Sequence, residues 1–293
     1  MQRRHLIRNL LLTGTAVAAS PAISLASCNA TKTQTKLKGK VNHSVCRWTY
    51  NFLSLEELCQ TVKQLNFSAI DLVGPKEWNI LKKNGVDSSM CNGAEISLTE
   101  GWNDKQYHPT LIKNYTEHIN LVADAGYKNL ICFSGNRKGM DDAVGLKTCV
   151  EGLKQIISLA EKRGVILQME LFNSKVNHPD YMCDKSAWGV ELCKQLGSPN
   201  FKLLYDIYHM QINEGDVIRT INDNHQYFGH YHTAGVPGRH EIDETQELYY
   251  PAIINAIVKT GYKGYVAQEF IPTGKDNPAK IAALKKAIEI CDV

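Results

Sequence analysis

Phe201-Lys202-Leu203-Leu204-Tyr205-Asp206-Ile207 is a short, mostly apolar run with an acid one residue before its end. It lies between two stretches of helical spacing, 185–196, which Gly197 stops, and 216–224. A run that is apolar on successive rather than alternate residues is expected of a strand covered on both faces, as in a parallel sheet wrapped by helices. The rhythm extends outward in both directions. Upstream, strands are expected at 44–50, 69–73, 89–96, 129–133 and 165–172. They alternate with a helix after Ser54, where Glu57 completes a capping box, then a poorer one through Trp78 and Leu81, and helices at 110–125 and 142–163. Downstream come strands at 227–233 and 264–270 and helices at 250–260 and 278–290. Eight strand–helix units over about 250 residues is the arithmetic of an α/β fold of the (β/α)8 TIM-barrel type, here a single domain over 41–293. An open doubly wound sheet is the alternative, but no G-x-G-x-x-G follows the first strand.

Composition narrows the function classes. The 293 residues are 43% hydrophobic and 22% charged, ordinary globular values, with a formal net charge of +3. So small a charge on so long a chain excludes the basic surface that nucleic-acid binding requires. Nine cysteines are present, but no C-x-x-C pair and no zinc-ligand spacing. Cys46, Cys59, Cys91, Cys132, Cys149, Cys183, Cys193 and Cys291 are expected as structural thiols, several lying in apolar runs.

Residues 1–27 read as an export signal. A basic start containing Arg3-Arg4 precedes an uncharged stretch from Asn9 to Ser27 that is too polar to span a membrane. The paired arginines before Leu6-Ile7 resemble the twin-arginine type, and Leu25-Ala26-Ser27-Cys28 resembles a lipobox, which would leave a lipid on Cys28 as the one attachment to a membrane. An ordinary signal with a chance cysteine is the alternative. Residues 28–40, rich in Thr, Lys and Gln, would then be a flexible tether. The expected location is the periplasmic side, on a lipid anchor. Arg3, Arg4 and Arg8 face no acid in this segment, so the basic excess belongs to the signal.

In a TIM barrel the active site lies at the C-terminal ends of the strands. The fifth to eighth strands carry Glu170, Asp206, the His230-Tyr231-His232 run and Glu269 near those ends, with Glu170, Asp206, His232 and Glu269 spaced by 36, 26 and 37 residues. Each spacing is close to one unit, so the four side chains are expected to converge. Each alone has a structural explanation, Asp206 as a helix cap and His232 as a core histidine. Together, three carboxylates and one imidazole make a hard-oxygen site for one divalent metal ion, Mg²⁺ or Mn²⁺, with Co²⁺ or Zn²⁺ compatible through the histidine. Three carboxylates gathered without a cation would not all stay ionised.

Longer motifs surround these positions: Met169-Glu170-Leu171-Phe172-Asn173-Ser174-Lys175, Tyr205-Asp206-Ile207-Tyr208-His209-Met210-Gln211, Gly229-His230-Tyr231-His232-Thr233-Ala234-Gly235-Val236-Pro237-Gly238-Arg239-His240-Glu241, and Gln268-Glu269-Phe270. On these the chain resembles the xylose-isomerase-like TIM-barrel superfamily and, within it, the hydroxypyruvate isomerase-like proteins. The resemblance implies a divalent metal on Glu170, Asp206, His232 and Glu269, with Glu170 and Glu269 also moving a proton through a cis-enediolate. Return of the proton to the neighbouring carbon is aldose–ketose isomerisation, and return to the same carbon is epimerisation. Histidine at 232 matches the sugar-epimerase branch, where hydroxypyruvate isomerases often carry glutamine. His209 and Arg239 match substrate-contacting residues. Lys175 and His178, in the loop after the fifth strand, are candidates to cover the site, and Trp48 to wall it, a core tryptophan being the alternative. The implied partner is a small carbohydrate or keto acid, and the leading activity an isomerase of such compounds. A sugar 3-epimerase on the same site, a metal-dependent hydrolase or lyase, and a non-catalytic sugar-binding lipoprotein are the alternatives.

Overall fold

In the computed structural model, residues 36–293 are described, and the segment expected as an export signal, Cys28 and the start of the expected tether lie outside them. Eight strands form one parallel sheet: β1 Asn42–Val45, β2 Ala69–Val73, β3 Asp87–Cys91, β4 Asn129–Cys132, β5 Ile166–Glu170, β6 Phe201–Asp206, β7 Phe228–Thr233 and β8 Tyr265–Gln268. Each neighbours the next in sequence from β2 through to β8, and β8 pairs with β1. The ring closes between β1 and β2 through one parallel bridge, Cys46 to Asp71, where the Arg47 backbone N–H donates to the Asp71 carbonyl at 2.9 Å. This is the (β/α)8 barrel expected from the alternation.

Helices α1 Leu55–Gln64, α2 Trp78–Asn84, α3 His108–Asp124, α4 Asp142–Arg163, α5 Ser186–Leu196, α6 Ile207–Asn213, α7 Val217–Asn224, α8 Tyr250–Lys259 and α9 Asn277–Cys291 surround the sheet. The Ser54/Glu57 capping box opens α1, and left-handed Gly164 and Gly197 close α4 and α5. Among the described residues no helix is long and apolar enough to cross a membrane. The eight cysteines after Cys28 are all buried and unbonded.

Three expectations are corrected. The first strand is Asn42–Val45 rather than 44–50, because the chain turns into a 3-10 helix at Trp48–Tyr50. The third is Asp87–Cys91 rather than 89–96, since it starts on two polar residues, Asp87 and the buried Ser88, which an apolar pattern cannot find. Helix α6 interposes between the sixth strand and α7. Asp206 caps it by accepting the His209 backbone N–H at 3.1 Å, so a residue read as a site acid also starts a helix.

The loops over the barrel mouth pack backbone to backbone at Gly101 and Gly135. A Cβ on Gly101 would lie 2.4 Å from the Gly135 nitrogen, and Gly135 itself has φ +88. The three atoms nearest to that Gly101 Cβ all belong to the backbone of 133–135, which cannot swing aside as a side-chain tip would. Gly101→Ala is therefore expected to destabilise the protein by about 1–3 kcal/mol, the usual cost of overpacking, as measured by urea unfolding. A midpoint equal to that of the parent would show that the two loops are not held in this contact.

Candidate active site

Register brings the four candidate ligands to one face. Glu170 pairs with Leu204, two residues before Asp206; Asp206 pairs with His232; and His232 pairs with Ala267, two residues before Glu269. Side chains alternate along a strand, so all four project the same way, into the barrel mouth. They are buried, and one ligand atom from each lies within 4.8 Å of all the others. Nδ1 of His232 is 2.9 Å from Oε2 of Glu269 and 3.3 Å from Oε1 of Glu170.

The donor set fits a divalent cation. Glu170 Oε1 and Asp206 Oδ2 are buried with no hydrogen-bond partner, so two carboxylate oxygens in the cluster are left for something other than a protein donor. Burial pushes the Glu170 carboxyl up to about 7, against the pull of His232 and with repulsion from Glu269 adding to it. Burial, then repulsion from Glu269, pushes Asp206 up to about 8. Burial works on Glu269 as well, but Arg239 and His232 outweigh it and hold that carboxyl well below its usual range. These buried residues make a site able to chelate a divalent metal ion.

Asp71 lies behind His232 and was missed by the sequence reading. Its carboxylate is 2.9 Å from Nε2 of His232 and 2.8 Å from Nε2 of His230, and it accepts the Ser89 hydroxyl at 2.6 Å. Burial alone would raise its pKa, but the two histidines overcome that and lower it. Asp71 thereby fixes the ring so that Nδ1 faces the cluster, the usual carboxylate support for a metal-ligating histidine. The signal was an acid inside the apolar strand Ala69-Ile70-Asp71-Leu72-Val73, since a charged residue is almost never fully buried without a partner. The Cys46 thiol touches the same group, 3.6 Å from Asp71 Oδ1, and burial holds it in the neutral form.

The other candidates fall into two groups. Arg239, at φ +61 in the loop after β7, donates from Nη2 to Glu269 Oε2 at 2.6 Å. Its guanidinium lies between two rings, 5.2 Å from the Trp48 centroid and 5.6 Å from that of Tyr208. Trp48 is 40% exposed and donates its indole N–H to Glu269 Oε1 at 2.8 Å, so it stands at the mouth, not in the core. His209 is fully buried, with Nε2 3.5 Å from Asp206 Oδ2. The His178 ring stacks on Phe172 at 4.0 Å and meets His209 edge-on at 5.1 Å, and burial followed by the nearby Arg239 lowers it to about 4. Lys175 departs from the expectation: its ammonium donates to the carbonyls of Ile212 and Asn213, capping the C-terminus of α6, and does not reach the cluster.

Glu170 and Asp206 rise from 4.5 and 3.8 to about 7 and about 8 on folding. The metal-free fold therefore holds more protons than the unfolded chain between those values, and loses stability as pH rises through them. His232 is raised above 6.5, so its contribution too is present at low pH and lost as pH rises through its folded value. A bound cation displaces these protons. The rise in Tm on adding saturating Mn²⁺ is thus expected to be larger at pH 8 than at pH 6, by differential scanning fluorimetry. Equal shifts would show that these groups do not hold the metal.

Residues 76–291 match the family described as xylose isomerase-like TIM barrel. The chain is 35% identical to a 2-oxo-tetronate isomerase of Cupriavidus necator over 43% of its own length and 47% of that protein's. That match thus spans about half of the relative. A 2-oxo-tetronate isomerase of Pectobacterium atrosepticum is 30% identical over 71% of this chain and 83% of its own. Among solved structures, D-psicose 3-epimerase of Clostridium cellulolyticum H10 superposes with a TM-score of 0.71 at 17% identity, over 85% of this chain and 98% of the other, which speaks to the fold. The barrel, the buried ligand cluster and the matched region together place the chain in the xylose isomerase-like TIM-barrel family, with a buried site able to chelate a divalent metal ion.

Proposed function

We propose that the protein is a divalent-metal-dependent 3-epimerase of small keto sugars, using Mg²⁺ or Mn²⁺. The observation that carries this reading is the pair of buried glutamates, Glu170 on β5 and Glu269 after β8, which flank Asp206 and His232 in one cluster. An epimerase must take a proton from one face of a carbon and return one to the other, which calls for two bases approaching from two sides. Glu269, kept ionised by Arg239 and His232, is suited to accept a proton, and Glu170, reaching the cluster from β5 beyond Asp206 and His232 in the strand order, is placed to return one. When bound, the cation supplies Lewis-acid polarisation of a carbonyl and stabilises negative charge on oxygen. Trp48 and Tyr208 lie against the Arg239 guanidinium at the mouth, where its fork can meet sugar hydroxyls. Isomerisation of a keto acid is the second reading, favoured by the activity named for the two bacterial relatives above.

Incubation with Mn²⁺ and a panel of ketoses and keto acids in D₂O distinguishes the two. Deuterium on carbon 3 with formation of the 3-epimer supports epimerisation. Deuterium on the carbon next to a migrated carbonyl would replace it by isomerisation, and no carbon-bound deuterium in any compound would overturn both. The order of basic, apolar and small residues in 1–27 supports export of this enzyme on a Cys28 lipid anchor. Changing Arg3 and Arg4 to lysine is then expected to leave the protein in the cytoplasmic fraction, and unchanged export would remove the twin-arginine reading.

A further inference from the structure

The His209 ring has two nitrogens, and the site can use only one of them. Nε2 lies 3.5 Å from Asp206 Oδ2, and neither atom has a hydrogen-bond partner. Nδ1 lies 2.6 Å from Nδ2 of Asn173. Both residues are fully buried, so no water decides between the two tautomers.

Asn173 decides it. Its Oδ1 accepts the backbone N–H groups of Val176 at 3.0 Å and Asn177 at 2.9 Å, which fixes the amide with its NH₂ toward the ring. One of those hydrogens goes to Asn177 Oδ1 at 2.7 Å, an oxygen that also accepts the Tyr208 hydroxyl at 2.9 Å. The other meets His209 Nδ1. A ring nitrogen that accepts carries no hydrogen, so neutral His209 has its proton on Nε2, aimed at the cluster. The chain spacing makes the pairing natural: Asn173 stands three residues after Glu170, and His209 three after Asp206. The Asn173–His209 bond therefore ties the ends of two neighbouring ligand strands together.

We propose that Asn173 is a positioning residue that sets the His209 tautomer, so that Nε2–H is the donor offered to a substrate oxygen beside Asp206. The donor's use in turnover rests on the function proposed above; the tautomer does not, and the test separates them. Long-range ¹H–¹⁵N spectra of histidine-labelled protein, metal-free and with Mg²⁺, are expected to show a bare Nδ1 and a protonated Nε2 at His209. A protonated Nδ1 in the parent protein overturns the proposal whatever the activity.

Asn173→Asp keeps the acceptor for Val176 and Asn177 but replaces the NH₂ by an oxygen, so Nδ1 is expected to become protonated. Its kcat is expected to fall about 10²-fold, the cost of losing one oriented donor, with KM and Mg²⁺ affinity little changed. A bare Nδ1 in this variant, or an effect confined to KM, overturns the proposal. His209→Gln supplies an amide donor with no tautomer to set. In that background Asn173→Asp is expected to cost less than about 2-fold, and independent, multiplying losses would overturn the coupling. Should Asn173→Asp fail to fold, the parent spectrum still decides. Should no substrate turn over, the function reading fails while the tautomer is still read.

Discussion

Glu269→Gln is expected to lower carbon–hydrogen exchange by at least about 10³-fold. A positioned base or acid contributes 10²–10⁴ on its own, and Glu269 is also one of four ligand positions in the cluster. The substitution is nearly isosteric and keeps an oxygen to accept the Trp48 indole N–H, now 2.8 Å away, so the mouth should stay folded. The lost charge is what holds Arg239 at 2.6 Å and pairs with His232 at 2.9 Å. Exchange is to be measured in D₂O at saturating Mn²⁺, with bound metal quantified in the same samples, so that a missing metal is not mistaken for a missing base. Full exchange by a metal-loaded Glu269→Gln protein would remove Glu269 from proton transfer.

Asp71→Ala is expected to be the most damaging single change away from the four ligands. It strips the buried partner from His230 and His232 at once and takes from the Ser89 hydroxyl its carboxylate acceptor, leaving it the Ser44 hydroxyl. Removing one member of a buried charged network costs about 3–5 kcal/mol, which at about 2–4 °C per kcal/mol lowers Tm by about 6–20 °C. Loss of the carboxylate behind a metal-ligating histidine also weakens metal binding about 10–100-fold. Calorimetric melting of metal-free protein reads the first effect, and titration with Mn²⁺ the second. Parent-like values in both would show that Asp71 neither orients the ring nor supports the barrel.

What the sequence makes legible follows from what periodicity can record. Strand β6 and helix α4 are marked by apolar runs and glycine stops, and both lie within a residue of their expected ends. The four residues of the buried cluster could be singled out because the fold places function at strand ends, a rule that needs only the order of the elements. Asp71, Ser89 and Asn173 escaped because each acts on a partner far away in the chain: Asp71 reaches His232 across 161 residues and Asn173 reaches His209 across 36. For Ser89 and Asn173 nothing local distinguishes a buried polar side chain with such a partner from one in solvent, and for Asp71 the one cue is its apolar flanks. Helix α6 escaped for a related reason, since its capping acid reads equally well as the last residue of a strand. Lys175 misled because loop position says where a side chain starts and not where its charge ends, here on the α6 carbonyls.

The bridge that closes the barrel carries a consequence for how a newly made chain becomes competent. Asp71 joins β2 to the residue after β1 through its backbone and orients His232 through its side chain. A copy whose first strand has not yet met the second lacks both the seam and the anchored imidazole. A cation that binds the four-residue cluster would therefore favour the closed hoop over one open at this seam, and stabilise it by the difference in affinity between the two.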